Sequence, residues 1–309
     1  MVTRLAGIDV GGTKCLGVVI DDQGHLLQQT RLPTPYGGDA LVATLAELAG
    51  QLQPYDTLGI GIPGLVTNEG ILRAAPNIGG IADTPVGPRL RERLGHSVEV
   101  DNDGTCAAVA EWKLGAARGA KDVIMVTLGT GIGGGIIAGN RLQRGTNGFA
   151  GEIGHMLVDP AGPECPCGRR GCWERFASGS ALGWLAKRAA SEGRLAGVVP
   201  PDGDIDEIRP ETLTQAARDG NSSAVAVLDE FARWVAIGLV NLTNILDPAM
   251  FVLGGGLAEL GSLLHGPASR WFRELLYQPH LRPHPQLVIA ELGERAGAYG
   301  AAILPTVHV

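Results

Sequence analysis

Two stretches of the chain follow one plan about 120 residues apart: LAGIDVGGTKCLGVVIDDQGHL at 5–26 and DVIMVTLGTGIGGGIIAGNRL at 122–142. Each reads as strand, Gly/Thr turn, strand and turn. The likeness is one of pattern, not of identity. Such a repeat restricts the chain to two similar α/β units. With a glycine-rich hairpin turn in each unit, the arrangement describes a hinged cleft. A phosphate chain held between the two turns is a natural ligand, because glycine lets backbone N–H groups approach oxygens closely.

Most of the remaining pattern agrees with an α/β fold. LAGIDV, CLGVVID and HLLQQTRLP read as three successive strands, and DALVATLAELAGQL carries Leu41, Leu45, Leu48 and Leu52 at helical spacing. TLGIGIPG is a short strand entering a Pro-Gly turn, and SVEVDND is a strand ending in acidic residues before the helix GTCAAVAEWKLGAA. After residue 200 the chain is mostly helical. One long helix, SSAVAVLDEFARWVAIGLVNLTNIL, is stopped by Asp247-Pro248, and MFVLGGG, QLVIAEL and ERAGAYGAAIL read as strand, strand and last helix. The boundary between the halves falls near residues 115–121, and no low-complexity linker marks it.

Composition narrows the class of partner. The net charge of −7 carries no basic stripe, which weighs against nucleic acid. There is no uninterrupted apolar run of membrane-spanning length, and the first strand begins almost at Met1, so the expectation is a cytoplasmic protein without signal peptide or membrane partner. Cys15 and Cys106 stand alone in apolar segments and read as small buried hydrophobes, whereas Cys165, Cys167 and Cys172 cluster.

Three glycine-rich segments invite a ligand. DVGGTK, Asp9 to Lys14, offers backbone N–H groups, the Thr13 hydroxyl and the Lys14 ammonium to phosphate, with Asp9 able to hold magnesium through water. A plain hairpin with a solvated lysine is the alternative. GTGIGG, Gly129 to Gly134, matches the dinucleotide fingerprint, but the strand-like GIIAGNRL follows it where that motif needs a helix. A second phosphate-cradling hairpin is what remains. LGGGLAE, Leu253 to Glu259, suits either close approach to a purine or sugar, or plain strand-to-helix packing.

EVDNDGTCAA places Asn102 and Asp103 at a strand end and helix mouth, where open α/β sheets bind ligands. Either residue, or Asp101, also suits an ordinary helix N-cap. Phosphoryl transfer to a hydroxyl needs one carboxylate to accept the proton, a role that suits Asp103. His155, Cys165, Cys167 and Cys172 then form H-x9-C-x-C-x4-C. Four such ligands within a short span suit a closed, structural tetrahedral zinc site, with Gly168 and Gly171 turning the backbone around the ion.

At this point the chain resembles the ROK sugar kinases, bacterial ATP-dependent glucokinases among them. The resemblance runs through DVGGTK, APNIGG, VDND, LGTGIGGG, GEIGHM, CPCGRRGCWE and VLGGG in family order. It implies the actin-like ATPase (ribonuclease H-like) fold, with two α/β domains around a hinged cleft. Residues 1–118 would form the small domain, joined by the C-terminal helix at about 293–309, and residues 119–292 the large domain with the zinc knuckle. It implies ATP, Mg2+ and structural Zn2+ as cofactors, and a homodimer or homotetramer. Asp103 matches the catalytic base. Gly64, Asn77, Asn102, Glu152, His155 and Glu174 match sugar ligands, the histidine serving zinc and sugar at once. ATP phosphates would lie near Gly11, Gly12, Thr13, Lys14, Thr130 and Gly131, and adenosine near Gly254, Gly255 and Gly256. Arg169 and Arg170 read as solvated surface.

The expected reaction is ATP-dependent phosphorylation of a hexose, glucose to glucose 6-phosphate. Rival sugars are N-acetylmannosamine, N-acetylglucosamine, fructose and allose, because PNIGGIADTPV departs from the aromatic-containing version common after that asparagine in glucokinases. The cysteine knuckle favours ATP over polyphosphate. A ROK repressor needs a helix-turn-helix ahead of the first strand, and none fits here.

Overall fold

The structure is a computed structural model, described here for residues 2–75, 78–195, 197–198, 204–205 and 208–307. In chain order the first elements are β1 (Leu5–Val10), β2 (Lys14–Ile20), β3 (Leu26–Pro33), α1 (Gly38–Gln51) and β4 (Thr57–Ile62). There follow β5 (Leu65–Val66), β6 (Leu72–Ala74), β7 (Ala82–Thr84), α2 (Val86–Leu94), β8 (Glu99–Asn102) and α3 (Asp103–Lys113). The second series holds β9 (Val123–Leu128), β10 (Ile132–Ala138), β11 (Arg141–Leu142), α4 (Glu174–Ala177), α5 (Gly179–Ser191) and α6 (Pro210–Arg218). It ends with α7 (Ser222–Leu246), β12 (Met250–Gly254), α8 (Ser262–Leu275), β13 (Gln286–Ile289) and α9 (Ala296–Ile303).

Two five-stranded sheets run in the orders β3-β2-β1-β4-β8 and β11-β10-β9-β12-β13. Numbered within each series, both read third, second, first, fourth, fifth, so the repeat seen as a pattern in the sequence is a repeat of topology. In the first sheet β2 is antiparallel to β1 and β3, while β1, β4 and β8 are parallel. In the second, β10 and β11 are antiparallel and β12 and β13 parallel. β5, β6 and β7 form a small antiparallel sheet. The chain divides into two compact units, one of Met1–Met125, Gly134–Glu152 and Ala290–Val309, the other of Val126–Gly133 and Ile153–Ile289.

In the first unit, Leu41, Leu45, Leu48 and Leu52 are fully buried beside Ile8, Val19 and Ile60. Each such leucine contributes about 1.5–3 kcal/mol by leaving water. α9 reaches this core through small residues. A Cβ at Gly7 would strike Ala298 and Ala302, one at Gly59 would strike Ala301, and one at Gly300 would strike the carbonyl of Cys106 in α3. Cys15 and Cys106 are both fully buried, as a small-hydrophobe reading expects.

In the second unit, α7 spans the 25 residues of the predicted helix, opened by Asn221, whose side chain accepts from Ala224 N–H, and closed by Asp247 in the left-handed region. Two predicted elements end early, and both for one reason. The helix from Asp103 stops at Lys113, not Ala117, because the buried Glu111 carboxylate accepts Ala116 N–H at 2.9 Å. The strand from Gln286 stops at Ile289, and the N–H groups of Glu291 and Leu292 beyond it bond to Glu111 at 3.2 and 2.8 Å in place of a sheet partner. Likewise LGGGLAE leads into a 3-10 turn, Gly256–Leu260, ahead of α8. Among the described residues no helix is long and apolar enough to cross a membrane.

Candidate functional site

The first unit brings its candidate residues to the strand ends of its sheet. Asp9 lies on β1, and Gly11 to Thr13 form the turn to Lys14, which opens β2. Gly11 N–H is taken by the Lys14 carbonyl at 2.9 Å, and the Gly11 carbonyl accepts the Thr34 hydroxyl at 2.6 Å. Lys14 ion-pairs with Glu294 at 3.3 Å, both side chains exposed. This is a surface pair that a phosphate would outcompete for the ammonium. Gly297 leaves room for Asp9: a Cβ there would lie 2.6 Å from the carboxyl carbon.

Asn102 ends β8 and caps α3, and Asp103 is the helix's first residue. The cap and ligand readings of this segment are therefore not exclusive. Asn102 Oδ1 accepts from Gly104 N–H at 2.8 Å and Thr105 N–H at 3.2 Å, while its Nδ2 donates to the Gly64 carbonyl at 3.1 Å. With both oxygen lone pairs engaged, Asn102 has one N–H left to offer a ligand. Asp103 Oδ1 accepts Gly104 N–H at 2.9 Å. Burial pushes the Asp103 carboxyl above the usual range, with Gly104 N–H opposing. Burial also raises Asp9, to about 7, helped by the negative Asp103 and opposed by Lys14. A divalent cation beside Asp9 would favour its ionised form. An acidic group beside a glycine turn has the donor chemistry that Mg2+ takes.

Glu152 follows a segment whose Gly151, at φ 107°, packs against the Gly134 carbonyl. Gly104 packs against that same residue, so the neighbours in sequence of Asp103 and Glu152 meet on one peptide. Asn77 lies outside the described residues.

The second unit holds the knuckle. His155 closes a 3-10 turn, Ile153–His155, and with Cys165, Cys167 and Cys172 offers four ligand atoms within 4.8 Å of one another. Cys167 and Cys172 sulfurs stand 3.6 Å apart, and His155 Nδ1 is 3.9 Å from the Cys165 sulfur. Ligands bonded at about 2.0–2.3 Å to a tetrahedral zinc stand about 3.3–3.8 Å apart. The donor set and its spacing fit zinc. Bridges Leu157↔Cys172 and Glu164↔Arg170 hold the loop, with Gly168 and Gly171 at φ 87° and 74°. Arg170 is an exposed surface residue paired to Glu164 at 2.8 Å.

Glu174, the first residue of α4, ties this knuckle to the second glycine turn. Its Oε1 accepts from the Cys165 thiol at 3.0 Å and lies 3.8 Å from His155 Nδ1, and its Oε2 would be 2.6 Å from a Cβ on Gly131. The turn itself is braced by residues that the motifs did not mark. Gly179 N–H donates to the Gly129 carbonyl at 2.7 Å, and the Ser180 hydroxyl to the Thr130 carbonyl at 2.9 Å. The turn runs into strand β10, and this excludes the dinucleotide reading. Gly254 closes β12, and Gly255, at φ 79°, packs on the backbone of Leu128 ahead of Gly256.

Residues 5–307 match the ROK family. A glucokinase of Streptomyces coelicolor is 39% identical over 305 residues, 96% of each chain. An N-acetylmannosamine kinase of Citrobacter koseri is 34% identical over 303 residues, 96% of this chain and 97% of that one. A ROK family glucokinase from Streptomyces griseus, crystallised with glucose and AMPPNP, superposes with a TM-score of 0.84 at 39% identity, covering 97% of this chain and 98% of that chain.

Proposed function

The chain belongs to the ROK family, and from that premise we propose that it is an ATP-dependent glucokinase, forming glucose 6-phosphate. The full-length likeness to glucokinases carries this reading. The carboxylate at the head of α3 supports it chemically. Asp103 accepts the proton of the sugar's 6-hydroxyl as that oxygen bonds to the γ-phosphorus. The bond from phosphorus to the bridging oxygen breaks, and ADP departs with the electron pair. A carboxylate made more basic by burial is the better acceptor, provided it starts ionised.

Gly64, Asn77, Asn102, Glu152, His155 and Glu174 bind the sugar hydroxyls, Asn102 as a donor through its free N–H. His155, Cys165, Cys167 and Cys172 would hold a structural zinc, whose role would be to fix the imidazole and not to activate water. Gly11 to Lys14 and Thr130-Gly131 hold the phosphates of ATP, Asp9 anchors Mg2+, and Gly254 to Gly256 lie against adenosine. Magnesium supplies charge neutralisation at the transferring phosphoryl group. The same reading takes the protein as a cytoplasmic homodimer or homotetramer with no nucleic-acid partner.

A coupled assay against glucose, N-acetylmannosamine, N-acetylglucosamine, fructose and allose, each with ATP and with polyphosphate, tests this. The highest kcat/KM is expected for glucose with ATP. A higher value for N-acetylmannosamine, whose kinases are also relatives, would overturn the choice of sugar.

A further inference from the structure

Asp101 is buried at the end of β8, 4% exposed, and its two carboxylate oxygens have separate partners. Oδ1 accepts Asn102 N–H at 2.8 Å, and Oδ2 receives Arg144 Nε at 2.5 Å. The Arg144 side chain is itself only 16% exposed. Burial raises the Asp101 carboxyl, and Arg144 opposes that rise. Replacing a buried ion pair by packed apolar groups is often neutral or stabilising, so stability is a weak account of such a pair. Its position suggests another one.

Arg144 stands at the head of the segment that runs into Glu152. The segment folds back on itself, Ala150 N–H donating to the Arg144 carbonyl at 3.0 Å. It is pinned by Asn68 Nδ2 to the Thr146 carbonyl at 3.0 Å, and by Gly148, which packs on the backbone of Val66 to Asn68. Arg144 therefore joins the strand end bearing Asn102 and Asp103 to the segment bearing Glu152. We propose that Arg144 is a positioning residue for phosphoryl transfer: through Asp101 it fixes the base Asp103 and the hydroxyl donor Asn102 against the Glu152 segment. This inference rests on the sugar-site roles given above.

Arg144→Met, Arg144→Lys and the double variant Asp101→Asn/Arg144→Met test it in the full chain. The double variant leaves no unpaired buried charge, and its asparagine still accepts from Asn102 N–H. We expect it to remain folded with kcat/KM for glucose reduced about ten- to a hundredfold, on the scale seen when groups orienting first-contact residues are lost, and KM for ATP within about twofold. Arg144→Lys restores part of the loss, because charge is kept but the planar fork is not. Hydrogen exchange reads the link without turnover: peptides covering 100–106 and 144–152 should lose protection together. A folded double variant with unchanged glucose kinetics, or exchange that rises in neither segment, overturns the proposal. If the wild-type chain phosphorylates no hexose, the assignment of function fails by itself, and the exchange measurement still decides the link.

Discussion

Gly104 and Gly151 press on one peptide, that of Gly134: a Cβ on Gly104 would lie 3.0 Å from the Gly134 oxygen, and one on Gly151 2.8 Å from it. The residue before Gly104 is Asp103 and the residue after Gly151 is Glu152. Two carboxylates 49 positions apart in the sequence are thus indexed to a shared piece of backbone by the absence of side chains beside them.

Asp103→Asn keeps the size and the contact with Gly104 N–H but cannot take a proton. Its kcat is expected to fall by about two to four orders of magnitude while glucose still binds. Steady-state kinetics with calorimetric titration of glucose measures both, and near-normal turnover would remove Asp103 from the role of base.

Asp9 predicts how magnesium acts with pH. Its carboxyl is raised to about 7 in the folded chain, so without metal its contribution to stability is full below pH about 4 and is lost as pH rises to about 7. Magnesium held by Asp9, as proposed, would favour the carboxylate and reverse that loss. Thermal shift with MgCl2 should be larger at pH 8 than at pH 5.5, and Asp9→Asn should flatten the difference. Equal shifts at both pH values would count against Asp9 as the anchor.

Gly131→Ala should affect glucose more than expected of a phosphate turn. The added methyl needs the space that Glu174 Oε2 occupies, 2.6 Å away. KM for glucose is expected to rise about tenfold, beside any change in KM for ATP. An effect confined to ATP would separate Gly131 from Glu174.

Cys167→Ser removes one thiolate from the four-ligand set. Bound zinc, measured by elemental analysis, is expected to drop, and KM for glucose to rise about ten- to a hundredfold through His155. Loss of zinc with an unchanged KM would make the knuckle scaffolding alone.

What was legible beforehand was local. The four knuckle ligands fall between His155 and Cys172, and α7 carries its own stop in Asp247-Pro248, so local pattern alone marked them. The leucines of α1 announced their buried face by period. Hidden were contacts whose partners are far apart in the chain. Arg144 meets Asp101 across 43 residues, and Glu111 meets Leu292 N–H across 181. Nothing in a short window distinguishes Glu111, one glutamate of a helix, from a solvated one. Its burial comes from elements much later in the chain, and this is why the sequence pattern runs past the ends of both elements.

The small-residue seam of α9 sets the order in which the molecule can be completed. β1 and β4 lie far in sequence from their partner, with Gly7 and Gly59 shaped for a helix that begins only at Ala296. Until that helix docks, the face of the sheet around Gly7 and Gly59 has nothing packed on those glycines, and the carbonyl of Cys106 lacks the close neighbour supplied by Gly300. The first sheet and the helix that fits its glycines are thus separated by most of this sequence, so closing that face is a long-range event however the intervening elements form.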